Sequence, residues 1–296
     1  MRVLLIGSDT PLGLALVDHL RRWGRHELEA VSSSTSRWKS ERHAKKVVRR
    51  VRADIVVDAR LQGAIDSGEL ITELDVERSH WLAKACQRSS GSYFLLSTAR
   101  VFAGDAGRAY REQDVPDNTE TVGRLLAAAE ARTRETCVQH VILRLGPVFA
   151  PSGINVLSHM LAQLVDGGKL VLDNQLRGCP VESADAARVV AGVLDQLGAG
   201  AEAWGTYHYC SPDPTNCYEF AEVLLASASQ FSEFSADAVQ LQPVGEDSLP
   251  RNRALQCGRI RGTFAIKQVP WRGFVADAVR QYFYQQQHQQ QNRKEA

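Results

Sequence analysis

The sequence predicts an α/β fold, a doubly wound parallel sheet carrying a smaller C-terminal α/β lobe, and three observations predict it. Short unbroken apolar runs containing Val and Ile recur along the first half, as strands buried on both faces do. Segments with helical apolar spacing separate them, the alternation that builds a parallel sheet. The first such unit, Met1 to Leu20, brings a strand, a tight turn and a helix together at Gly7 to Gly13.

Val3 to Ile6 is the first strand, and Leu12, Leu16 and Leu20 mark one face of the helix after it. Pro11 suits the first helical turn, where its missing N–H leaves no bond unmade. The free N–H groups and positive dipole end of such a helix form an anion site, usually for a dinucleotide pyrophosphate, here built from Gly7, Thr10, Pro11, Leu12 and Gly13. A G-x-x-G-x-x-G pattern keeps its outer glycines but has Thr10 in the middle. Thr10 either weakens phosphate approach or offers its hydroxyl to a phosphate oxygen.

Glu27 to Val31 is a second strand ending at Ser32-Ser33-Ser34. No acidic residue stands there to bind the ribose hydroxyls of NAD, and Arg37 and Lys39 follow, which favours NADP(H) if a dinucleotide is bound. Arg37 to Arg52 holds eight basic residues in sixteen beside a thin stripe of Ala44, Val47, Val48 and Val51. A solvated helix face is the expectation, with a patch for phosphate or an acidic partner as its rival. Ala53 to Arg60 reads as a third strand whose end, Asp58, Ala59 and Arg60, faces the crevice of Gly7. Arg60 either clamps a phosphate there or fills the space.

Leu74 to Cys86 is helical, Tyr93 to Thr98 a fourth strand ending on the hydroxyls of Ser97 and Thr98, Thr121 to Thr133 helical, and Val141 to Leu145 a fifth strand. The dinucleotide domain is thus residues 1–150, rejoined by 182–210. Shorter elements in 151–181 and 211–284 predict a smaller substrate lobe. The Gln-rich stretch 285–296 is low-complexity and expected to be disordered.

In 296 residues with 44% apolar content there is ample material for a core. Lys plus Arg (35) almost balances Asp plus Glu (34), so no overall field recruits nucleic acid or an anionic membrane. No apolar run reaches the roughly 20 residues needed to span a bilayer. The six cysteines show no C-x-x-C pair and no signal peptide precedes the first strand, which reads as reduced thiols in a cytoplasmic protein. Histidines and cysteines lack the spacing of a zinc site, so no metal is expected.

From Ser97 the motifs become specific. Ser97-Thr98-Ala99-Arg100-Val101-Phe102, Tyr110-Arg111-Glu112-Gln113-Asp114-Val115-Pro116 and Gly123-Arg124 are followed by Asp173-Asn174-Gln175-Leu176-Arg177-Gly178-Cys179-Pro180 with Asp185-Ala186-Ala187. Gly205-Thr206-Tyr207-His208, Tyr218-Glu219-Phe220-Ala221, Pro250-Arg251-Asn252 with Leu255, and Trp271-Arg272 complete the series. In order and spacing this resembles the dTDP-dehydrorhamnose reductases, extended short-chain dehydrogenase/reductases with a Rossmann domain, over residues 1–284. The resemblance implies a substrate side formed by Thr98, Arg100, Gln175 and Asn252, a cofactor side including Ser97, and a nucleotide sugar as ligand.

It also implies a catalytic Tyr and a Lys four residues later, and these are absent. Val122 stands at the Tyr position and Leu126 at the Lys position, leaving Thr98 as the retained member of the three. Neither replacement donates a proton, and a positioned acid supplies roughly 10²–10⁴ of the rate of such a reduction. Arg124 remains protonated and suits an oxyanion better than acid work. Tyr110 matches a non-catalytic family position. His208 reads as packing between two tyrosines, and Glu112 with Asp114 as a solvated turn.

The leading expectation is therefore a catalytically degenerate family member, a ligand sensor, regulatory subunit or scaffold that binds a protein partner or a second copy of itself. A fold-level analogy is the regulatory beta subunit of methionine adenosyltransferase. The rival is an active NADPH-dependent reductase of a dTDP-4-keto sugar that uses an unconventional acid.

Overall fold

The structure is a computed structural model that describes residues 1–231, 234–244 and 250–295, with side chains to residue 288. Its elements run β1 (Arg2–Ile6), α1 (Pro11–Trp23), β2 (Glu27–Val31), α2 (Glu41–Val51), β3 (Ile55–Asp58), α3 (Arg60–Asp66), α4 (Glu73–Arg88), β4 (Ser92–Thr98), α5 (Thr121–Thr136) and β5 (His140–Leu145). Then come β6 (Val148–Phe149), α6 (Val156–Asp166), β7 (Gly168–Asp173), β8 (Leu176–Arg177), β9 (Val181–Glu182), α7 (Ser183–Gly198) and β10 (Gly205–Tyr209). The chain ends with α8 (Cys217–Ala228), β11 (Val239–Val244), β12 (Arg251–Asn252), α9 (Gly258–Phe264) and α10 (Arg272–Glu295).

Six strands form one sheet in the order β10-β5-β4-β3-β1-β2, and every pairing in it is parallel. β1, β3 and β4 sit inside the sheet with Leu4, Val56 and Leu95 fully buried, which is why their sequences are continuously apolar. α1 packs against α7, while α2, α4 and α5 pack in turn against one another, so helices cover the sheet in two layers. From β1 the chain first adds β2 on one side and then returns to add β3 on the other. That reversal opens a crevice at the carboxyl ends of β1 and β3.

A second apolar cluster, including Phe149, Leu161, Phe220, Leu224, Trp271 and Val279, joins α6, α8 and α10. Its strands pair β7 with β11 and β8 with β12. These elements form the wall opposite the sheet across the crevice.

Two elements depart from the sequence reading. The third strand stops at Asp58, and Arg60 already begins α3, a seven-residue helix where continued strand was expected. In the Gln-rich stretch the backbone is helical to Glu295 as a continuation of α10, where disorder was expected; Ala296 lies outside the described residues. Among the described residues no helix is long and apolar enough to cross a membrane.

Candidate active-site crevice

The turn after β1 is fixed by two glycines. Gly7 has φ of +88°, and a Cβ on Gly13 would lie 2.0 Å from the Gly7 carbonyl oxygen, so side chains are excluded at both. Thr10 closes the turn differently from either expectation. Its hydroxyl donates to the Gly7 carbonyl at 2.8 Å and accepts from the Gly13 amide at 3.0 Å, capping α1. It is thereby committed to the turn instead of offering itself to a phosphate. Leu12 is fully buried in the main core.

A cavity of about 540 Å³ opens here, lined by Thr10, Pro11, Ser33, Ser34, Arg37 and Arg60 among others. Asp9 accepts from the Ser33 amide at 2.5 Å and so ties the loop after β2 to the turn. Ser32 bonds to Ser34 and Thr35 within that loop and does not line the cavity. Arg37 is exposed at the rim.

Asp58, Ala59 and Ser97, expected at the cofactor, are buried and line neither this cavity nor the second one. Arg60 folds back beneath its own helix. Its Nε and Nη2 donate to the two carboxylate oxygens of Asp58 at 2.9 and 2.7 Å, and Nη2 also reaches Ser79. Tyr93 and Ser79 donate to Asp58 as well. Burial alone raises the Asp58 carboxyl, but Arg60 and Tyr93 outweigh it and hold the pKa below the usual value. Arg60 is thus held in a buried ion pair with Asp58 while still bordering the cavity. Ser97 donates to Glu130, itself bound by Arg144 at 2.9 and 2.6 Å.

A second cavity, about 380 Å³, lies at the end of β4 and is lined by Thr98, Arg100, Pro147, Met160, Arg177 and Arg253 among others. Gln175 and Asn252 do not line it. The Gln175 amide donates to Asp173, and Asn252 accepts from the Ala254 amide, so both shape the β8–β12 pair. Val122 is half-buried and Leu126 fully buried on successive turns of α5, both packed into the main core.

These two cavities lie side by side, and α3 borders both: Leu61, Gly63 and Ala64 face the first, Ile65 and Asp66 the second. The RmlD substrate binding domain model matches residues 1–284. The chain belongs to this family. Relatives include the dTDP-4-dehydrorhamnose reductase of Escherichia coli K12, 24% identical over 96% of this chain and 98% of its own length. That of Streptomyces griseus is 26% identical over 84% and 82%. Among solved structures, the Bacillus anthracis dTDP-4-dehydrorhamnose reductase in complex with NADP superposes with a TM-score of 0.77 at 18% identity, covering 96% of this chain and 99% of its own. A Clostridium acetobutylicum dTDP-4-dehydrorhamnose reductase gives 0.77 at 17%, covering 94% and 98%.

Within this RmlD-family crevice Tyr110, His208 and Asp114 have structural partners, whereas Glu112 Oε1 is buried with none. Tyr110 stacks on Phe102 at 4.0 Å, donates to Asp117 and accepts from the Gly104 amide; it does not line the cavity. His208 is buried against Arg144, and burial with that charge depresses its pKa to about 3. Asp114 is held at about 2, chiefly by its bond from Arg108. Arg124 points from the exposed face of α5 and lines neither cavity.

Sequence reasoning missed Asp66, the last residue of α3. It lines the Thr98 cavity, and its partners, the Gln62 amide at 2.9 Å and the Val148 N–H at 3.1 Å, are both neutral. Burial pushes its carboxyl up to about 8, against weaker lowering by those bonds and by Arg100. Asp66 belongs to no motif of the sequence reading, and only the end of α3 brings it to the cavity.

Proposed function

We propose that this chain is an NADP(H)-dependent reductase of a nucleotide-linked keto sugar that works without the tyrosine and lysine of its family. The observation that carries the reading is the pair of adjoining cavities, one on the glycine turn and one on Thr98, which α3 borders together. The names of full-length relatives, all dTDP-4-dehydrorhamnose reductases, support it further.

The first cavity fits a dinucleotide phosphate. Thr10 and Pro11 bring the N-terminus of α1 and its dipole to the cavity, and Ser33, Ser34 and Arg37 follow β2 where an NAD-selective acid is lacking. When bound, the cofactor supplies hydride. In the second cavity Thr98 offers a hydroxyl to the carbonyl oxygen, while Arg100 and Arg253 supply positive charge for an anionic ligand.

NADPH oxidation in the presence of a dTDP-4-keto-6-deoxyhexose tests the reading. The expected result is turnover that Thr98→Ala removes, with NADPH preferred over NADH and the preference reduced in Arg37→Ala. Binding of NADPH and sugar nucleotide without oxidation would instead establish the second reading, a non-catalytic ligand sensor or regulatory subunit acting on a protein partner. Val122 and Leu126 at the places of the acid and its lysine favour that alternative.

A further inference from the structure

We propose that Asp66 delivers the proton to the ligand oxygen in the Thr98 cavity, the role its family gives to a tyrosine. The inference rests on the reductase reading. Asp66 shares the cavity wall with Thr98 and Arg100, so a carbonyl oxygen held by the Thr98 hydroxyl lies in the same enclosed space as the carboxyl group.

The groups hydrogen-bonded to Asp66, the Gln62 amide and the Val148 N–H, carry no charge. Asp66 Oδ1 accepts from the Val148 N–H, and the Gln62 side-chain nitrogen lies 2.9 Å from both Oδ1 and Oδ2. Gln62 Oε1 is buried with no donor. Turning the Gln62 amide over directs that oxygen at Asp66 and gives the proton a resting partner, while a ligand oxygen in the cavity offers another. No cation forms an ion pair with Asp66 among the described residues. Arg100 acts on it electrostatically, and Arg177, which is paired with Glu219, and Arg253 are the other charges lining the cavity. Burial raises its pKa to about 8, keeping the acid loaded at neutral pH.

As the keto carbon accepts hydride from the reduced nicotinamide, its C=O double bond becomes a single bond. The oxygen takes the Asp66 proton as the carboxyl O–H bond breaks. Asp66 is left as a carboxylate that the Arg100 charge favours, and water reprotonates it before the next turnover.

The test pairs kinetics with a measurement that needs no turnover. In the ligand-free wild type, carbon-13 NMR of labelled aspartate carboxyls is expected to show one group titrating near pH 8, absent in Asp66→Asn. Wild-type kcat is expected to fall as pH rises through that same range. Asp66→Asn keeps the acceptor for Val148 and is expected to lose 10²- to 10⁴-fold in kcat with NADPH affinity unchanged, whereas Asp66→Glu retains part of the rate. Turnover in Asp66→Asn equal to wild type, or all carboxyls titrating below pH 6, overturns the assignment and leaves the reductase reading standing. A wild type that binds both ligands and never oxidises NADPH overturns both. Should Asp66→Asn not fold, the wild-type NMR titration and pH profile decide.

Discussion

Arg60 and Asp58, two residues apart at the junction of β3 and α3, form a buried ion pair with 2.7 Å between Nη2 and Oδ2. The pair ties the arginine back to the strand it follows. Removing one partner of such a pair strands a charge away from water. Arg60→Met is expected to cost about 3–5 kcal/mol in urea unfolding, with Asp58→Leu added in the double variant recovering much of it. A loss below about 1 kcal/mol would mean that Ser79 and Tyr93 suffice to hold the carboxylate.

The same pair, with Glu130 and Arg144, sets the acid limit of stability. Burial raises both carboxyls, but their arginines outweigh it, so the folded pKa values of Asp58 and Glu130 lie below the unfolded ones. The stability they contribute is present above the unfolded values, near 4, and is lost as pH falls through the folded ones. Thermal unfolding is expected to show Tm falling steeply below pH 4, and the fall is expected to be shallower in a variant carrying both Asp58→Leu and Arg60→Met.

The glycine turn makes a graded prediction. Gly13→Ala drives a methyl into the Gly7 carbonyl, a backbone atom that cannot swing aside, whereas Gly63→Ala meets the Thr10 side chain at 2.3 Å. Gly13→Ala is expected to lose at least about 1–3 kcal/mol together with NADPH binding. Gly63→Ala displaces Thr10 from its cap and is expected to cost about 1 kcal/mol, as Thr10→Ala does. Calorimetry of the three variants ranks them, and equal losses would contradict the distinction between backbone and side-chain clashes.

Strands were legible in this sequence because burial on both faces leaves nothing polar in Val3 to Ile6 and one polar residue, Arg144, in Val141 to Leu145, and the family was legible because its loop motifs occur in order. What escaped was decided by tertiary contacts. α3 is only seven residues long and opens with an arginine, so its apolar spacing spans too few turns to register. Arg60 reads as a phosphate clamp or a space-filler, and only the fold brings Asp58, Ser79 and Tyr93 beside it. Asp66 carries no signature because what distinguishes it is a neutral, enclosed setting that two distant segments create. Gln-rich composition suggests disorder, yet Tyr282 and Phe283 anchor α10 to the second apolar cluster, and the helix continues from there.

Leu126 tests how far the family's chemistry can be written back. The family lysine position is here a fully buried core residue, and among the described residues no carboxylate lines the Thr98 cavity except Asp66. Leu126→Lys is expected to destabilise by about 2–5 kcal/mol, the range for losing a buried leucine, before any penalty for its charge. Val122→Tyr, at a half-buried position, is expected to cost less. Restored tyrosine-type activity in the double variant without loss of stability would show that the helix still leaves room for the pair.

Asp66 makes a stability prediction opposite in sign to that of Asp58. Its folded pKa, about 8, lies above the value near 3.9 of an unfolded aspartate, so the native state holds a proton the unfolded chain has released. The favourable contribution is complete below the unfolded value and is lost as pH rises through the folded one. Asp66→Asn is neutral throughout and escapes this dependence. Relative to that variant, the wild type is expected to lose stability steadily from pH 4 to pH 8 and to remain level above it. Urea unfolding of both proteins across that range reads the difference directly. A difference independent of pH would mean that water or a cation reaches the carboxyl and keeps it ionised in the folded state.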